Sequence, residues 1–229
     1  MNKYIGKNIL ILGGGTSTLD TKWENLDYDF IWTCNDFYLE PRVYSKTIDL
    51  YLLAYTTNLS DKKLISVLKD SNTTVLYEPL HYRGKQETPE FKHFENTIGV
   101  PVVGGSLCTI TKEQSSAAMS GAAFRLICSA LKSNANCIYF AGFDGFDKDF
   151  TNIHAFTKHP GLKDTDSRRT YEGTDDSYVS IFTDAYRILA EDPNSDKLQN
   201  LGEGFDYNIG TFISKEYFPL TKETYDKIR

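Results

Sequence analysis

The residues best equipped for chemistry in this chain are glycines, small hydroxyls and amides that directly follow apolar runs. The clearest case is NILILGGGTSTLD, Asn8 to Asp20, where the run stops at Gly13-Gly14-Gly15 and Thr16, Ser17 and Thr18 follow. Glycines there let the backbone turn sharply and come close to a ligand, and the N–H groups opening a following helix suit phosphate. A glycine turn serving only the chain reversal is the plain alternative. The dinucleotide pattern GxGxxG fails because its sixth position is Thr18, and the next apolar run ends in Asn35 rather than a ribose-holding Asp or Glu. No GK[ST] is present, so hydride-transfer and P-loop chemistry are both disfavoured. The Asn35 amide can donate and accept, which suits ribose hydroxyls or a base edge.

A third cluster joins Ser120-Gly121, at the start of an expected helix, to FAGFDGFD, in which Gly142, Phe143 and Asp144 follow an apolar run. Asp144 and Asp147 read as turn-capping residues ahead of metal ligands. The four histidines, His81, His93, His154 and His159, have neither HExxH nor zinc-finger spacing, so no metal site is expected. His154 and His159 are candidate general bases. There is no GxSxG elbow. Four cysteines without CxxC spacing read as buried reduced thiols.

These residues need elements to position them. Apolar runs at 8–12, 29–34, 48–55, 73–77, 100–104 and 136–142 are rich in Ile, Val, Leu, Tyr and Phe, as expected of parallel strands covered on both faces. Amphipathic helices are expected over 60–70, 120–133 and 176–192. The alternation predicts an α/β fold with a doubly wound, mostly parallel sheet, which binds ligands beyond the carboxyl ends of its strands. Segments 78–96 and 143–175 resist assignment. The second carries Phe143, Phe146, Phe150, Phe156 and Tyr171 and reads as a lid. The tail from Glu191 is expected to pack across a sheet edge. With 229 residues, 40% hydrophobic, the chain is expected to form one domain, 1–229, including the lid. A net charge of −6 gives no global field for nucleic acid. Without a leader-like start or a span-length apolar stretch, a soluble cytoplasmic protein is expected.

Taken in order, ILILGGGTSTLD, YDFIWTCNDFY and MSGAAFRLICSALKSNANCIYFAGFDGF resemble the bacterial sialyltransferases of glycosyltransferase family 42 and the related DUF115 pyrophosphokinases. The likeness covers roughly 8–40 and 118–147. It implies a Rossmann-like nucleotide-binding domain with Gly14, Gly15, Thr16 and Ser17 at phosphate or ribose. It implies further that Asn35 meets the nucleotide, Ser120 and Gly121 the phosphate, and Ala141, Gly142 and Phe143 the base. Metal-free, inverting transfer is the family expectation, with no cofactor beyond the nucleotide-sugar. The chain departs from the family where a histidine base is expected: SRRTYEGTDD has Arg168, Arg169 and Tyr171 instead. His154, His159 or a carboxylate such as Asp144 remain as bases, and the two arginines could hold phosphate. Phe146 and Phe150 stand in place of the family's tyrosines, and the family's basic C-terminal membrane attachment is not expected.

The resulting expectation is a glycosyltransferase using a CMP- or UDP-sugar. Its acceptor would be a glycan or, as in phage enzymes, DNA bearing hydroxymethylated bases. For DNA, Arg83, Lys85, Lys158, Lys163, Arg168 and Arg169 would supply a phosphate-contacting rim. A DUF115-like pyrophosphokinase and a non-catalytic nucleotide-binding module are the alternatives.

Overall fold

Each apolar run becomes a strand because its side chains can be buried on both faces of a sheet at once. The computed structural model describes residues 2–15, 17–54, 57–69, 71–78, 89–100, 102–104, 122–143, 189–202, 206–207, 210–211 and 218–228. Strands β1 (Asn8–Leu12), β2 (Phe30–Cys34), β3 (Leu50–Ala54), β4 (Thr74–Glu78), β5 (Val102–Gly104), β6 (Cys137–Ala141) and β7 (Leu198–Asn200) form one sheet in the order β5-β4-β3-β2-β1-β6-β7. Every neighbouring pair in it is parallel. A separate antiparallel pair joins β8 (Asp206–Tyr207) to β9 (Gly210–Thr211). The expected doubly wound α/β sheet is what forms.

Helices cover both faces. Ile9, Ile11, Trp32, Leu52, Ile138 and Phe140 pack against α4 (Ala122–Lys132), which buries Phe124, Ile127 and Leu131. Leu10, Leu12, Tyr51 and Leu53 face the other way, into a cluster that includes Trp23, Phe37, α2 (Lys62–Leu68), α3 (Pro89–Ile98) and α5 (Lys222–Ile228). Removing a side chain such as Ile127 from water contributes about 1.5–3 kcal/mol. The Asp61 carboxylate caps α2 by accepting the Lys63 and Leu64 amides.

Two elements depart from the sequence reading. Segment 78–96 resists assignment in the sequence, yet Pro89 opens α3, which buries Phe94 and Ile98. Proline fits a first helical position, where its missing N–H has no partner to lose. The tail does cover a sheet edge, and it also extends it: Leu198–Asn200 pairs with β6 as a seventh strand. Of the helix expected over 176–192, only Leu189 and Ala190 fall among the described helical residues.

At the amino ends of the strands, aspartates from the incoming loops complete the ladder. Asp29 Oδ2 accepts the Asn8 amide at 2.9 Å, and Asp49 Oδ2 accepts the Ile31 amide at 3.0 Å.

Candidate functional site

The order of the sheet singles out one place. The chain leaves β1 toward β2, whereas β6 lies on the opposite side of β1 and the chain leaves it toward β7. The turns after β1 and β6 therefore part at the carboxyl edge, the crevice where open α/β sheets bind ligands.

The two turns meet at their roots. Gly13 N donates to Ala141 O at 2.8 Å, and Gly15 N donates to Gly142 O at 2.9 Å. The approach is so close that a Cβ on Gly13 would sit 2.6 Å from Gly142 O. Gly142, at φ +76°, would drive its own Cβ into Thr18 Oγ1 and Gly13 O. Only glycine meets both demands at once.

Small hydroxyls complete the joint. Thr18 Oγ1 donates to Gly13 O at 3.0 Å, and Gly142 N donates to Ser17 Oγ at 3.2 Å. Ser17 and Thr18 are both buried, while Gly14 and Gly15 are half-buried. The helix after the turn, α1 (Ser17–Asp20), is four residues long, so it accumulates little of the macrodipole expected to favour phosphate. Gly15 spends both of its backbone groups inside the joint, its amide on Gly142 O and its carbonyl on the Thr18 amide.

The end of β2 is tied to the same corner: Thr33 Oγ1 donates to Leu12 O at 2.8 Å. Asn35 follows with φ +50°, a left-handed conformation that asparagine tolerates better than most residues, and it opens a 3-10 helix, Asn35–Leu39. Its carbonyl accepts from Tyr51 Oη at 2.7 Å, and Tyr51 Oη in turn accepts from Tyr38 N at 2.7 Å. Burial is the main cause that pushes the Tyr51 hydroxyl well above its ordinary pKa, so it stays protonated and able to donate. Tyr38 Oη donates to Asp61 Oδ2 at 3.0 Å, linking the 3-10 helix to the cap of α2.

Arg42 anchors the other end of this segment. Its guanidinium donates to Thr18 O and Thr21 O at 2.5 and 3.0 Å, pairs with Glu40 at 3.0 Å and Glu24 at 3.3 Å, and lies 4.9 Å over the Trp23 ring. It fastens the chain beyond the glycine turn to the chain beyond Asn35.

The structure thus brings Gly14, Gly15, Ser17, Asn35, Ala141 and Gly142 to one edge. Phe143 belongs elsewhere in part: it is buried in the α4-side core, 5.3 Å edge-on to Phe140. Tyr51 and Arg42 support the corner and were not singled out from sequence; Gly13 and Thr18, read there as parts of the glycine turn, support it as well. Thr16, Ser120, Gly121, Asp144, Asp147, His154, His159, Arg168, Arg169 and Tyr171 lie outside the described residues. So do Arg83, Lys85, Lys158 and Lys163. Among the described residues no three His, Cys, Asp or Glu side chains gather, and no helix is long and apolar enough to cross a membrane.

No family model and no curated protein matches the sequence. Solved structures do match. The monofunctional alpha-2,3-sialyltransferase Cst-I from Campylobacter jejuni superposes with a TM-score of 0.64 at 14% identity, over 98% of this chain and 83% of that one. The sialyltransferase CST-II in complex with a trisaccharide acceptor and CMP gives 0.59 at 16% identity, over 93% and 86%. CstII from Campylobacter jejuni in complex with the substrate analogue CMP-3FNeuAc gives 0.57 at 17% identity, over 96% and 98%. The structural neighbours of this chain are sialyltransferases, and it shares their fold over nearly its whole length.

Proposed function

We propose that the protein is a glycosyltransferase that takes a sugar from a CMP-sugar, or a UDP-sugar, and passes it to an acceptor hydroxyl. The observation that carries this reading is the convergence of the turns after β1, β2 and β6 at the reversal of strand order. The fold around them is shared with sialyltransferases, two of them solved with CMP or a CMP-sugar analogue.

In this reading Gly14 brings backbone against phosphate or ribose, and Asn35 directs its amide at the nucleotide. The acceptor oxygen forms its bond to the anomeric carbon from the face opposite the leaving group. The bond from that carbon to the phosphate oxygen breaks, its electron pair departs with the nucleotide, and a base takes the hydroxyl proton. Segment 143–175 is the proposed source of that base, with His154, His159 and Asp144 its candidates, and Arg168 and Arg169 are proposed to meet phosphate. Transfer is inverting and needs no metal. The acceptor is a glycan, a choice supported by the trisaccharide bound to one neighbour. Residues 1–229 work as one cytoplasmic domain.

Thermal melting against CMP, UDP, GDP, ATP and NAD tests the reading. A nucleotide held at 100 times its dissociation constant stabilises the native state by about 2.7 kcal/mol. CMP or UDP is expected to raise the melting temperature, NAD is not, and silence from every nucleotide overturns the proposal. With CMP-sugars and glycan acceptors, nucleotide release that continues in EDTA is expected. Binding without release would leave a nucleotide-binding module in its place.

A further inference from the structure

Asn35 stands in a left-handed backbone conformation, and the Tyr51 side chain helps hold it there. A left-handed residue other than glycine costs of order 1 kcal/mol or more and persists only where its surroundings over-determine it. At Asn35 the surroundings include Tyr51, wholly buried within β3, whose hydroxyl reaches across to the end of β2. One oxygen closes the turn from both sides: it donates to Asn35 O and accepts the amide of Tyr38, three residues further on, each at 2.7 Å. Tyr38 is fixed in turn by Asp61. No other residue type at position 51 keeps both the ring that fills this core and a hydroxyl at that reach.

We propose that Tyr51 is a positioning residue for nucleotide recognition: by clamping the Asn35 carbonyl and the Tyr38 amide it sets the direction of the Asn35 side chain before ligand arrives. The inference rests on Asn35 meeting the nucleotide, as in the reading above, and adds a residue that itself touches no ligand. Tyr51 faces the α2 and α3 side of the sheet with Leu53 and Phe37. Its effect on a ligand at the carboxyl edge therefore passes through Asn35.

The test is a double-mutant cycle on CMP and UDP dissociation constants with Tyr51→Phe, Asn35→Ala and the pair. Tyr51→Phe keeps the ring and removes only the hydroxyl. It is expected to weaken nucleotide binding about tenfold, on the scale of one well-placed hydrogen bond, and to add less than about twofold once Asn35 is alanine. In turnover the loss is expected in KM for the donor with little change in kcat, a split that general loosening of the core would not give. An equal loss in both backgrounds, or none in either, overturns the role of Tyr51 while leaving that of Asn35 standing. Asn35→Ala binding as well as the parent overturns both. A measurement on the parent protein guards against a Tyr51→Phe variant that does not fold: nucleotide is expected to slow amide hydrogen exchange across residues 35–39. Unchanged exchange there in a nucleotide-bound sample also overturns the proposal.

Discussion

The Gly142 amide donates to the Ser17 hydroxyl oxygen across 3.2 Å, joining the turn after β6 to the helical turn after β1. A serine that reads as a ligand contact in the sequence thus spends its oxygen on the protein's own backbone. Ser17→Ala leaves that buried amide without its acceptor and is expected to cost about 1–3 kcal/mol. Gly142→Ala adds a left-handed alanine and two collisions, and about 2–4 kcal/mol is expected. Urea midpoints measure both. An alanine at 142 as stable as the parent would rule out the close joint between the turns.

Arg42 neutralises Glu40, whose side chain is only 4% exposed, and ties down two carbonyls beyond the glycine turn. Arg42→Ala is expected to lower stability by about 2–3 kcal/mol, since it strands a buried carboxylate. Arg42→Lys should recover little, because an ammonium has no planar fork to span these acceptors. Adding Glu40→Gln to Arg42→Ala should restore part of the loss in chemical denaturation.

Asn35 and Asn134 share a left-handed backbone, at φ +50° and +55°, and offer a built-in comparison. Glycine suits either backbone, so both Asn→Gly variants are expected to stay within about 1 kcal/mol of the parent in stability. Only Asn35→Gly should lose nucleotide affinity, measured by calorimetry with CMP. An equal loss from Asn134→Gly would mean that affinity reports backbone stiffness and not the Asn35 amide.

Asp29 and Asp49 cap neighbouring strands alike but titrate in opposite directions. The Asn8 amide, then Lys7, hold the Asp29 carboxyl below its ordinary 3.8, whereas burial raises Asp49 above it. A lowered folded-state pKa gives stability that is present above the unfolded value and lost as pH falls through the folded one. A raised pKa gives stability that is present below the unfolded value and lost as pH rises through the folded one. The advantage of the parent over Asp29→Asn should therefore shrink below pH 3.8. Its standing against Asp49→Asn should instead improve at higher pH, as pH falls through the raised folded value toward 3.8, and level off below that. Urea titrations between about pH 6 and about pH 2.5 check both slopes.

Much of the sheet was legible because burial on two faces demands unbroken apolar runs, and β1 at Asn8–Leu12 coincides with NILIL. Strand β7 was not, since Leu198, Gln199 and Asn200 are too few and too polar to show a pattern. The polar pair finds partners nearby: Gln199 Nε2 donates to Cys137 Sγ at 3.2 Å, and Asn200 Oδ1 accepts Gly202 N at 3.0 Å. At the site, residue types spoke for the glycines and Asn35, but not for which of them face a ligand. Ser17 turns inward because the amide of Gly142, 125 residues away, donates to it, and Phe143 because it packs edge-on against Phe140 in the α4-side core. Tyr51 was invisible as a support because its place in an apolar run accounts fully for a tyrosine.

The central position of β1 between β2 and β6 also governs how the chain must emerge from the ribosome. The Ser17–Gly142 bond spans 125 residues, which at about 5–20 residues per second takes roughly 6–25 s to synthesise. During that interval the NILIL strand can pair with β2, while its other edge, apolar and unpaired, waits for β6. Such an edge is a template for pairing with another nascent chain. A nascent chain stalled before residue 137 should bind holdase chaperones and aggregate, and one extended past β6 should not.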